Sequence, residues 1–180
     1  MFNDGLGGFK QTSFKVGHEI NFATSTAIDD FDGDGYGDIV LGWSDFVSID
    51  GNSVGGIHWG NTESDYKREY TALPTAYYDS NIAFDIAVTD INSDGLPDLV
   101  VANTRGDLYY VGHVLQFLIN NGDRTFTQSW LREEELIPNI NNGVSHIKII
   151  DFNADGREDI LVTSQDRTYV LISDGQGSYT

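Results

Sequence analysis

A nine-residue acidic phrase that occurs three times constrains this chain more than any other feature of its sequence. The phrase reads Asp-x-(Asp or Asn)-x-Asp-Gly-x-x-Asp, and it begins at Asp30, Asp90 and Asp151. The three starting points lie 60 and 61 residues apart. A nearly fixed period of this size is typical of repeat proteins, in which each repeat forms one structural unit beside the next.

The oxygen atoms of each phrase suit a hard cation. Aspartate or asparagine stands at positions 1, 3, 5 and 9, and the main-chain carbonyl of position 7 can add a further oxygen. About six oxygens favour Ca2+ over Mg2+, which prefers to keep its waters. Gly at position 6 predicts a sharp turn with positive φ. The sequence therefore predicts about three Ca2+ sites, with these candidate ligands: Asp30, Asp32, Asp34, Tyr36 and Asp38; Asp90, Asn92, Asp94, Leu96 and Asp98; Asp151, Asn153, Asp155, Arg157 and Asp159.

Two other kinds of loop share part of this pattern. An EF-hand needs a Glu at position 12 and flanking helices, but position 12 here is Leu41, Val101 and Val162, and a strand-like apolar run follows each loop. A metal-free acidic turn is the simpler alternative. It would place several carboxylates together at each loop without a cation, which costs repulsion. Three complete ligand sets therefore favour metal binding.

The residues between the loops read as short strands, and helix signal is nearly absent. A second repeated phrase, Asn/Asp-Gly before an aromatic residue, leads to Phe9, Phe126 and Tyr179 and indicates tight turns. Each period divides into four strands, of which the second is apolar on both faces and is predicted to be buried on both. The fourth strand is more polar and is predicted to start near Phe9, Tyr66 and Phe126. Four-stranded units of this size, stacked face to face, are typical of β-propeller blades.

The predicted fold is therefore all-β: a β-propeller segment of three four-stranded blades, with a Ca2+ loop between the first and second strands of each blade. Within one partial propeller domain, residues 21–75, 76–135 and 136–180 are the predicted blades, and residues 1–20 are an outer strand of a preceding or shared blade. Three blades are too few to close a ring. We therefore expect a neighbour, either the remainder of a larger propeller or a second copy of this chain.

Charge and composition narrow the classes of partner. The net charge is −18, from 28 acidic and 10 basic residues, and three bound Ca2+ would leave the surface acidic. This argues against nucleic acid and anionic membranes as partners. There is no cysteine, so neither a disulfide nor a thiolate metal site is expected. No apolar run approaches the ~20 residues that span a bilayer, so no membrane insertion is expected. The residues after Met1 do not resemble a signal peptide, so none is expected within this chain.

The acidic phrases and the turn phrases together resemble FG-GAP/VCBS repeats, the Ca2+-binding propeller blades of integrin α subunits and many bacterial extracellular proteins. The resemblance covers almost the whole chain and implies that the fifteen positions named above hold Ca2+. It also implies a secreted or cell-surface protein of bacterial type that binds protein or glycan, as in adhesion, without catalysis of its own. The first repeat departs from the family pattern, because its turn phrase, Trp59 to Tyr66, is weak.

Two other functions stay open from the sequence. The chain could be the propeller part of a secreted polysaccharide-degrading enzyme, or a structural spacer in a larger surface protein. The sequence contains no nucleophile motif and no phosphate-binding loop. We therefore predict no catalytic residues and no cofactor site other than the metal sites. Core packing is the ordinary role for most of the aromatic residues that could instead stack on a sugar. These are Trp43, Trp59, Trp130, Tyr77, Tyr78, Tyr109 and Tyr110.

Overall fold

All regular elements that the structure describes are β-strands. The computed structural model describes residues 2–3, 9–10, 23–43, 55–62, 66, 69–76, 81–105, 113–133, 144–164 and 167–180. None of these residues is helical. A helix long and apolar enough to cross a membrane is therefore absent from these ranges.

The strands form three antiparallel sheets that follow one another along the chain, and one short ribbon. The ribbon pairs β1 (Phe2–Asn3) with β2 (Phe9–Lys10). The first sheet contains β3 (Ala23–Asp29), β4 (Asp38–Trp43), β5 (Gly55–His58) and β6 (Tyr70–Ala72). The second sheet contains β7 (Asn81–Thr89), β8 (Asp98–Arg105), β9 (His113–Asn120) and β10 (Phe126–Glu133). The third sheet contains β11 (Val144–Ile150), β12 (Asp159–Ser164) and β13 (Thr168–Leu171). In every sheet, each strand pairs with the strand next to it in sequence.

The third sheet differs from the prediction of four strands, because only three named strands are present in it. The fourth position is begun by a single bridge between Ser173 and Tyr179. Ile172 and Thr180 extend this bridge, since each N–H donates to the carbonyl of the other, at 2.9 and 3.0 Å. Residues 178–180 therefore lie where the outer strand of the third sheet would run.

The all-β prediction is confirmed, and the stacked antiparallel sheets are consistent with a β-propeller-like fold. The second sheet begins its fourth strand at Phe126, as its turn phrase predicts. The fourth strand of the first sheet was predicted to start near Tyr66, but it starts at Tyr70. Tyr66 instead uses its hydroxyl to donate to the carbonyl of Gly37, at 3.1 Å, beside the first acidic loop.

Two hydrophobic cores lie between consecutive sheets, and β8 contributes to both. Leu99 and Val101 face the first sheet, where they join a cluster with Val40 and Trp59. Val100, which alternates with them, faces the third sheet in a second cluster. Alternate residues of a strand point to opposite faces, so β8 is buried on both sides. The prediction of a second strand buried on both faces is confirmed for the middle sheet.

The first strand of each sheet carries a bulge near its start, and the bulges contact the neighbouring sheet. The register shifts fall between Ala23 and Ser25, between Ala83 and Asp85, and between Val144 and His146. The hydroxyl of Ser25 donates to the carbonyl of Ala83 at 2.9 Å. The N–H of Ile147 donates to the carboxylate of Asp85, also at 2.9 Å. A bulge leaves backbone and side-chain groups outside the ladder, and here these groups join adjacent sheets.

Candidate metal centre

Each acidic phrase forms the connection between the first and second strands of its sheet. We call residues 30–38 loop 1, residues 90–98 loop 2 and residues 151–159 loop 3. Position 6 of each loop has positive φ, at +87° in Gly35, +87° in Gly95 and +84° in Gly156. The predicted sharp turn at position 6 is confirmed. The loops of all three sheets therefore present their acidic side chains from equivalent positions.

Position 4 of each loop also has positive φ, which the sequence did not indicate. The angles are +74° at Gly33, +61° at Ser93 and +61° at Ala154. Residues with a Cβ adopt this region at a cost. A glycine occurs there only in loop 1, so residue type gave no common signal. The surrounding hydrogen bonds hold the two non-glycine residues in this conformation.

Those hydrogen bonds run from loop N–H groups to the acidic side chains. In loop 2, the two carboxylate oxygens of Asp90 accept from the N–H groups of Asp94 and Gly95, at 3.1 and 2.9 Å. Asn92 accepts from the N–H of Asp94, and Asp94 accepts from that of Leu96, at 3.1 and 2.8 Å. Loops 1 and 3 make the same four bonds. The side chains at positions 1, 3 and 5 are therefore gathered on the inside of each loop.

The aspartate at position 9 is fully buried and holds each loop to a second segment of its sheet. The two oxygens of Asp98 accept from the N–H groups of Ile91 and Asn120, at 2.9 and 2.7 Å. The bonds of Asp38 and Asp159 are equivalent, and all three aspartates have an exposed fraction of 0%. Sequence reasoning assigned this residue to the metal alone. Its second role as a link between segments was missed, because the partner N–H lies at the end of the third strand or just after it, 14 to 22 residues further along the sequence.

The carboxylates of loop 1 come close enough together to share a cation. One oxygen each from Asp30, Asp32 and Asp38 lies within 4.8 Å of the others, an arrangement that could hold a metal ion. Each carboxylate oxygen can accept more than one partner, so the backbone hydrogen bonds leave lone pairs for a metal. The donors are all oxygens, which is the chemistry that Ca2+ prefers. Loops 2 and 3 carry Asn92 and Asn153 where loop 1 carries Asp32.

The electrostatics of the position-9 aspartates also suit a cation. Burial raises the pKa of Asp38 from 3.8 to about 6, and the negative charges of Asp32 and Asp34 raise it further, against the effect of two backbone hydrogen bonds. Burial likewise raises the pKa of Asp98 from 3.8 to about 6, with Asp94 and Asp90 as the nearby charges. A bound cation would compensate the buried negative charge that these shifts reflect.

Two arginines contact the acidic side chains, and the sequence predicted neither contact. Arg124, in the turn between β9 and β10, reaches loop 1 of the neighbouring sheet, where its Nε and Nη2 lie 2.7 and 2.6 Å from an oxygen of Asp32. Arg157, at position 7 of loop 3, places Nη2 2.5 Å from an oxygen of Asp155. Arg157 was predicted as a carbonyl ligand only, so its guanidinium adds a group that the ligand pattern did not include.

The aromatic residues considered for sugar stacking divide into two groups. Trp43 and Trp59 are each only 2% exposed, so they belong to the packed interior. The ring of Trp43 stacks on that of Tyr70, with centroids 6.3 Å apart. The side chain of Trp130, and Tyr77, Tyr78, Tyr109 and Tyr110 as whole residues, lie outside the described residues.

Comparison with known proteins gives one family match. A family model described as an FG-GAP-like repeat matches residues 90–162. Residues 90–162 therefore resemble an FG-GAP-like repeat. The matched segment contains both loop 2 and loop 3, and loop 1 makes the same internal hydrogen bonds outside it. The predicted resemblance to FG-GAP repeats is confirmed for this segment.

The comparisons with curated proteins and with solved structures give no further family. No curated protein matches the chain. One similar solved structure is that of an Agrocybe aegerita lectin described as specifically recognising non-reducing terminal N-acetylglucosamine. It shares 16% sequence identity and a TM-score of 0.26, and the match covers 86% of this chain. The chain spans 50% of the length of the lectin chain.

Proposed function

We propose that the protein is a calcium-binding, extracellular β-propeller module that binds a protein or glycan and has no catalysis of its own. This proposal rests on one observation: the same loop occurs three times, and all of its candidate metal ligands are oxygen atoms. Three loops gather their side chains with the same four hydrogen bonds, and in loop 1 three carboxylates approach within 4.8 Å. FG-GAP repeats are in general binding modules rather than enzymes, which supports the same proposal.

Calcium would be held by the fifteen residues predicted from the sequence, with about one ion in each loop. Side-chain oxygens at positions 1, 3, 5 and 9 and the carbonyl at position 7 form each donor set. When bound, the ion would neutralise carboxylates that lie close together. A ligand that binds only the folded state stabilises it by about 2.7 kcal/mol at a hundredfold excess over its Kd. Three sites would therefore give roughly 8 kcal/mol, comparable to the whole stability of an ordinary domain.

Thermal unfolding and calorimetry test the calcium proposal together. We expect a large rise in the melting temperature in millimolar Ca2+ over EDTA, little rise in Mg2+, and a stoichiometry near three. A matched variant carries Asp34→Ala, Asp94→Ala and Asp155→Ala, which removes one predicted ligand from each loop. These three residues are exposed and lie outside the core, so their loss leaves the core intact. This triple variant should melt like the wild type in EDTA and gain much less from Ca2+. Coincident wild-type melts in Ca2+ and EDTA would refute calcium binding.

The partner is proposed from surface chemistry. The acidic surface, which argues against nucleic acid, is compatible with a protein or an uncharged glycan. A glycan array and a protein-capture screen, each run with Ca2+ and with EDTA, would identify the class. A parallel activity screen on polysaccharides separates the binding module from the polysaccharide-degrading alternative. Turnover of any polysaccharide would contradict the non-catalytic assignment.

The predicted division into blades is part of this proposal. Residues 21–75, 76–135 and 136–180 would be three blades, and residues 1–20 would be an outer strand of a preceding or shared blade. Phe31, at position 2 of loop 1, is 1% exposed because Phe126 of the second sheet packs on it, with ring centroids 5.9 Å apart. Phe152, at the same position of loop 3, is 62% exposed. A further blade, from a longer chain or from a second copy, would cover Phe152 as Phe126 covers Phe31.

Sedimentation analysis tests this last point. Association that Phe152→Ser abolishes would support a covering blade from a second copy. Dye binding to a monomer, reduced by Phe152→Ser, would support a face that a longer chain covers. A monomer whose dye binding is unchanged by Phe152→Ser would contradict both.

A further inference from the structure

The side chain of Arg124, which belongs to the second sheet, contacts loop 1 of the first sheet. Its guanidinium contacts Asp32 through Nε and Nη2, and Nη2 lies 3.9 Å from an oxygen of Asp34. The guanidinium lies over the ring of Trp59, 5.0 Å from the centroid, where the ring attracts its charge. Glu69 pairs with the outer Nη1. The side chain of Asp32 is only 9% exposed, whereas that of Glu69 is 57% exposed, so solvent screens the Glu69 pair far more.

The conformation of Arg124 shows that the position is specialised. Its φ is +65°, in the left-handed region that an arginine rarely adopts. The equivalent turn of the third sheet carries Gly177, with φ +88°, and this turn lies beside loop 2. The hydroxyl of Ser93 in loop 2 lies 3.4 Å from the carbonyl of Gly175 in that turn. The two turns therefore face two acidic loops in the same way, but only the turn beside loop 1 carries a cation at this position.

Loop 1 is also the loop with the additional negative charge. Its position 3 is Asp32, whereas loops 2 and 3 carry Asn92 and Asn153 there. The guanidinium of Arg124 contacts this same extra carboxylate, and Asp32 in turn helps to raise the pKa of Arg124, against the opposing effect of partial burial. The ion pair of Asp32 and Arg124 therefore has no net charge. In this respect it matches the uncharged Asn92 and Asn153 at position 3 of loops 2 and 3.

Loop 3 has a positively charged side chain within the loop itself. Arg157 stands at position 7, where loops 1 and 2 carry Tyr36 and Leu96. Its Nη2 contacts Asp155, and its Nε lies 3.3 Å from the carbonyl of Ser173. Burial acts to raise the pKa of Asp155, but the N–H and the charge of Arg157 and the amide of Asn153 lower it overall. The predicted ligand set of loop 3 thus has three carboxylates with one guanidinium beside them, while that of loop 2 has three carboxylates alone. Glu158, at position 8 of loop 3, is outside the ligand set, and its carboxylate accepts from the hydroxyl of Thr89 at 2.6 Å.

We propose that Arg124 and Arg157 are internal cations that set the calcium affinity of loops 1 and 3. This inference rests on the calcium function proposed above. With both guanidinium groups counted, the ligand sets of loops 1 and 2 have equal net charge, and the ligand set of loop 3 is less negative by one unit. The charge of the ligand set tunes the Ca2+ affinity of loops built from oxygen donors. Loops 1 and 2 therefore bind Ca2+ with similar affinity, and loop 3 binds it most weakly.

Loop 3 gives the sharper test, since loop 2 supplies a natural reference residue. Calcium titrations by calorimetry are made with loops 1 and 2 disabled by Asp34→Ala and Asp94→Ala. Arg157→Leu places the residue of loop 2 at position 7 and should tighten binding by about tenfold at low salt, with a smaller gain at high salt. Arg157→Lys keeps the charge and should stay within about threefold of Arg157. Lys148→Gln removes one charge from an exposed residue of β11 and should change affinity less than about twofold.

Loop 1 is tested in the same way, with Asp94→Ala and Asp155→Ala as the background. Arg124→Gly places the residue of the third-sheet turn in a backbone conformation that glycine adopts freely. It should tighten Ca2+ binding by about tenfold, and adding Asp32→Asn should cancel most of the gain. Melts in EDTA verify that each variant is folded.

The outcomes separate this inference from the proposed function. If the wild type binds Ca2+ but both arginine variants bind it equally or more weakly, the arginine inference is wrong and the calcium function stands. If only the arginine variants bind Ca2+, the inference is supported in its strongest form, because the arginines then occupy the sites. If neither the wild type nor the variants bind Ca2+, both proposals are wrong.

Discussion

Replacing Asp98 by alanine should destabilise the protein even when no metal is present. The carboxylate is fully buried, and its two oxygens accept from the N–H groups of Ile91 and Asn120. Alanine leaves both donors without an acceptor in a site that water does not reach. Asp94, four positions earlier in the same loop, provides the contrast, because it is exposed and its loss opens no buried site.

The expected magnitude follows from these contacts. A buried donor left without a partner costs about 1–3 kcal/mol, so two donors cost about 2–6 kcal/mol. Removing the carboxylate also removes the cost of burying its charge, which is reflected in its pKa of about 6 and offsets part of the loss. We therefore expect a net loss of about 3 kcal/mol, or about 6–12 °C in melting temperature for a chain of this size. Asp94→Ala should lie within about 0.5 kcal/mol of the wild type.

The assay is thermal or urea unfolding in EDTA of the wild type, Asp98→Ala, Asp98→Asn and Asp94→Ala. Asp98→Asn keeps one acceptor oxygen but turns an amide N–H2 toward the second donor, so it should also be clearly destabilised. In Ca2+ both alanine variants should lose one site by calorimetry. If Asp98→Ala and Asp94→Ala unfold together in EDTA, the buried aspartate does not link the loop to its sheet, and the reasoning is refuted.

Three further predictions follow from other contacts. The pKa values of Asp38 and Asp98 are raised to about 6, so without metal these groups favour folding fully below about pH 4 and lose that contribution as pH rises through 6. The free energy of unfolding in EDTA should therefore be higher at pH 5 than at pH 7. In limiting Ca2+ it should instead be lower at pH 5, because protons compete with the ion, and parallel pH profiles in the two conditions would contradict this. Phe31→Ala should cost about 3–5 kcal/mol in urea unfolding because Phe31 is 1% exposed, whereas Phe152→Ala should cost less than about 1 kcal/mol at 62% exposure; equal costs would refute the packing assignment. Asn120→Ala should cost about 2–4 kcal/mol, since the buried amide donates to the carbonyls of Phe31 and Pro97 at 2.7 and 3.1 Å, and a wild-type midpoint in urea would show that these bonds are dispensable.

Much of the fold could be predicted because its signals are local in sequence. The period of the acidic phrase located the three sheets, and the run Leu99–Val101 indicated a strand buried on both faces. The turn before Phe126 was predicted from its Asn-Gly pair and is observed. The weaker phrase before Tyr66 misled the prediction, because Tyr66 is held by a bond from its hydroxyl to Gly37 rather than by pairing in the sheet.

The site was predictable only as far as its chemistry is contained in one loop. Position 6 requires positive φ, and a glycine in every loop shows this directly. Position 4 adopts the same region with Ser93 and Ala154, so residue type carries no signal there. Arg124 and Asp32 are 92 residues apart, and no pattern within a repeat connects them. Their contact follows from the stacking of one sheet on the next, which local sequence does not encode.

The buried aspartates show why the loops and the fold cannot be treated separately. Asp98 accepts from the N–H of Asn120, and the side-chain amide of Asn120 donates to the carbonyl of Phe31 in loop 1. Two short hydrogen bonds, both made by Asn120 at the end of β9, therefore link loop 2 to loop 1. A substitution at position 9 removes a proposed metal ligand and also breaks this link between the loops. A substitution at position 5 removes a proposed ligand and one hydrogen bond from a main-chain N–H within the exposed part of its own loop. Position 5 is therefore the place to measure calcium binding, and position 9 is the place to measure how the loops hold the sheets together.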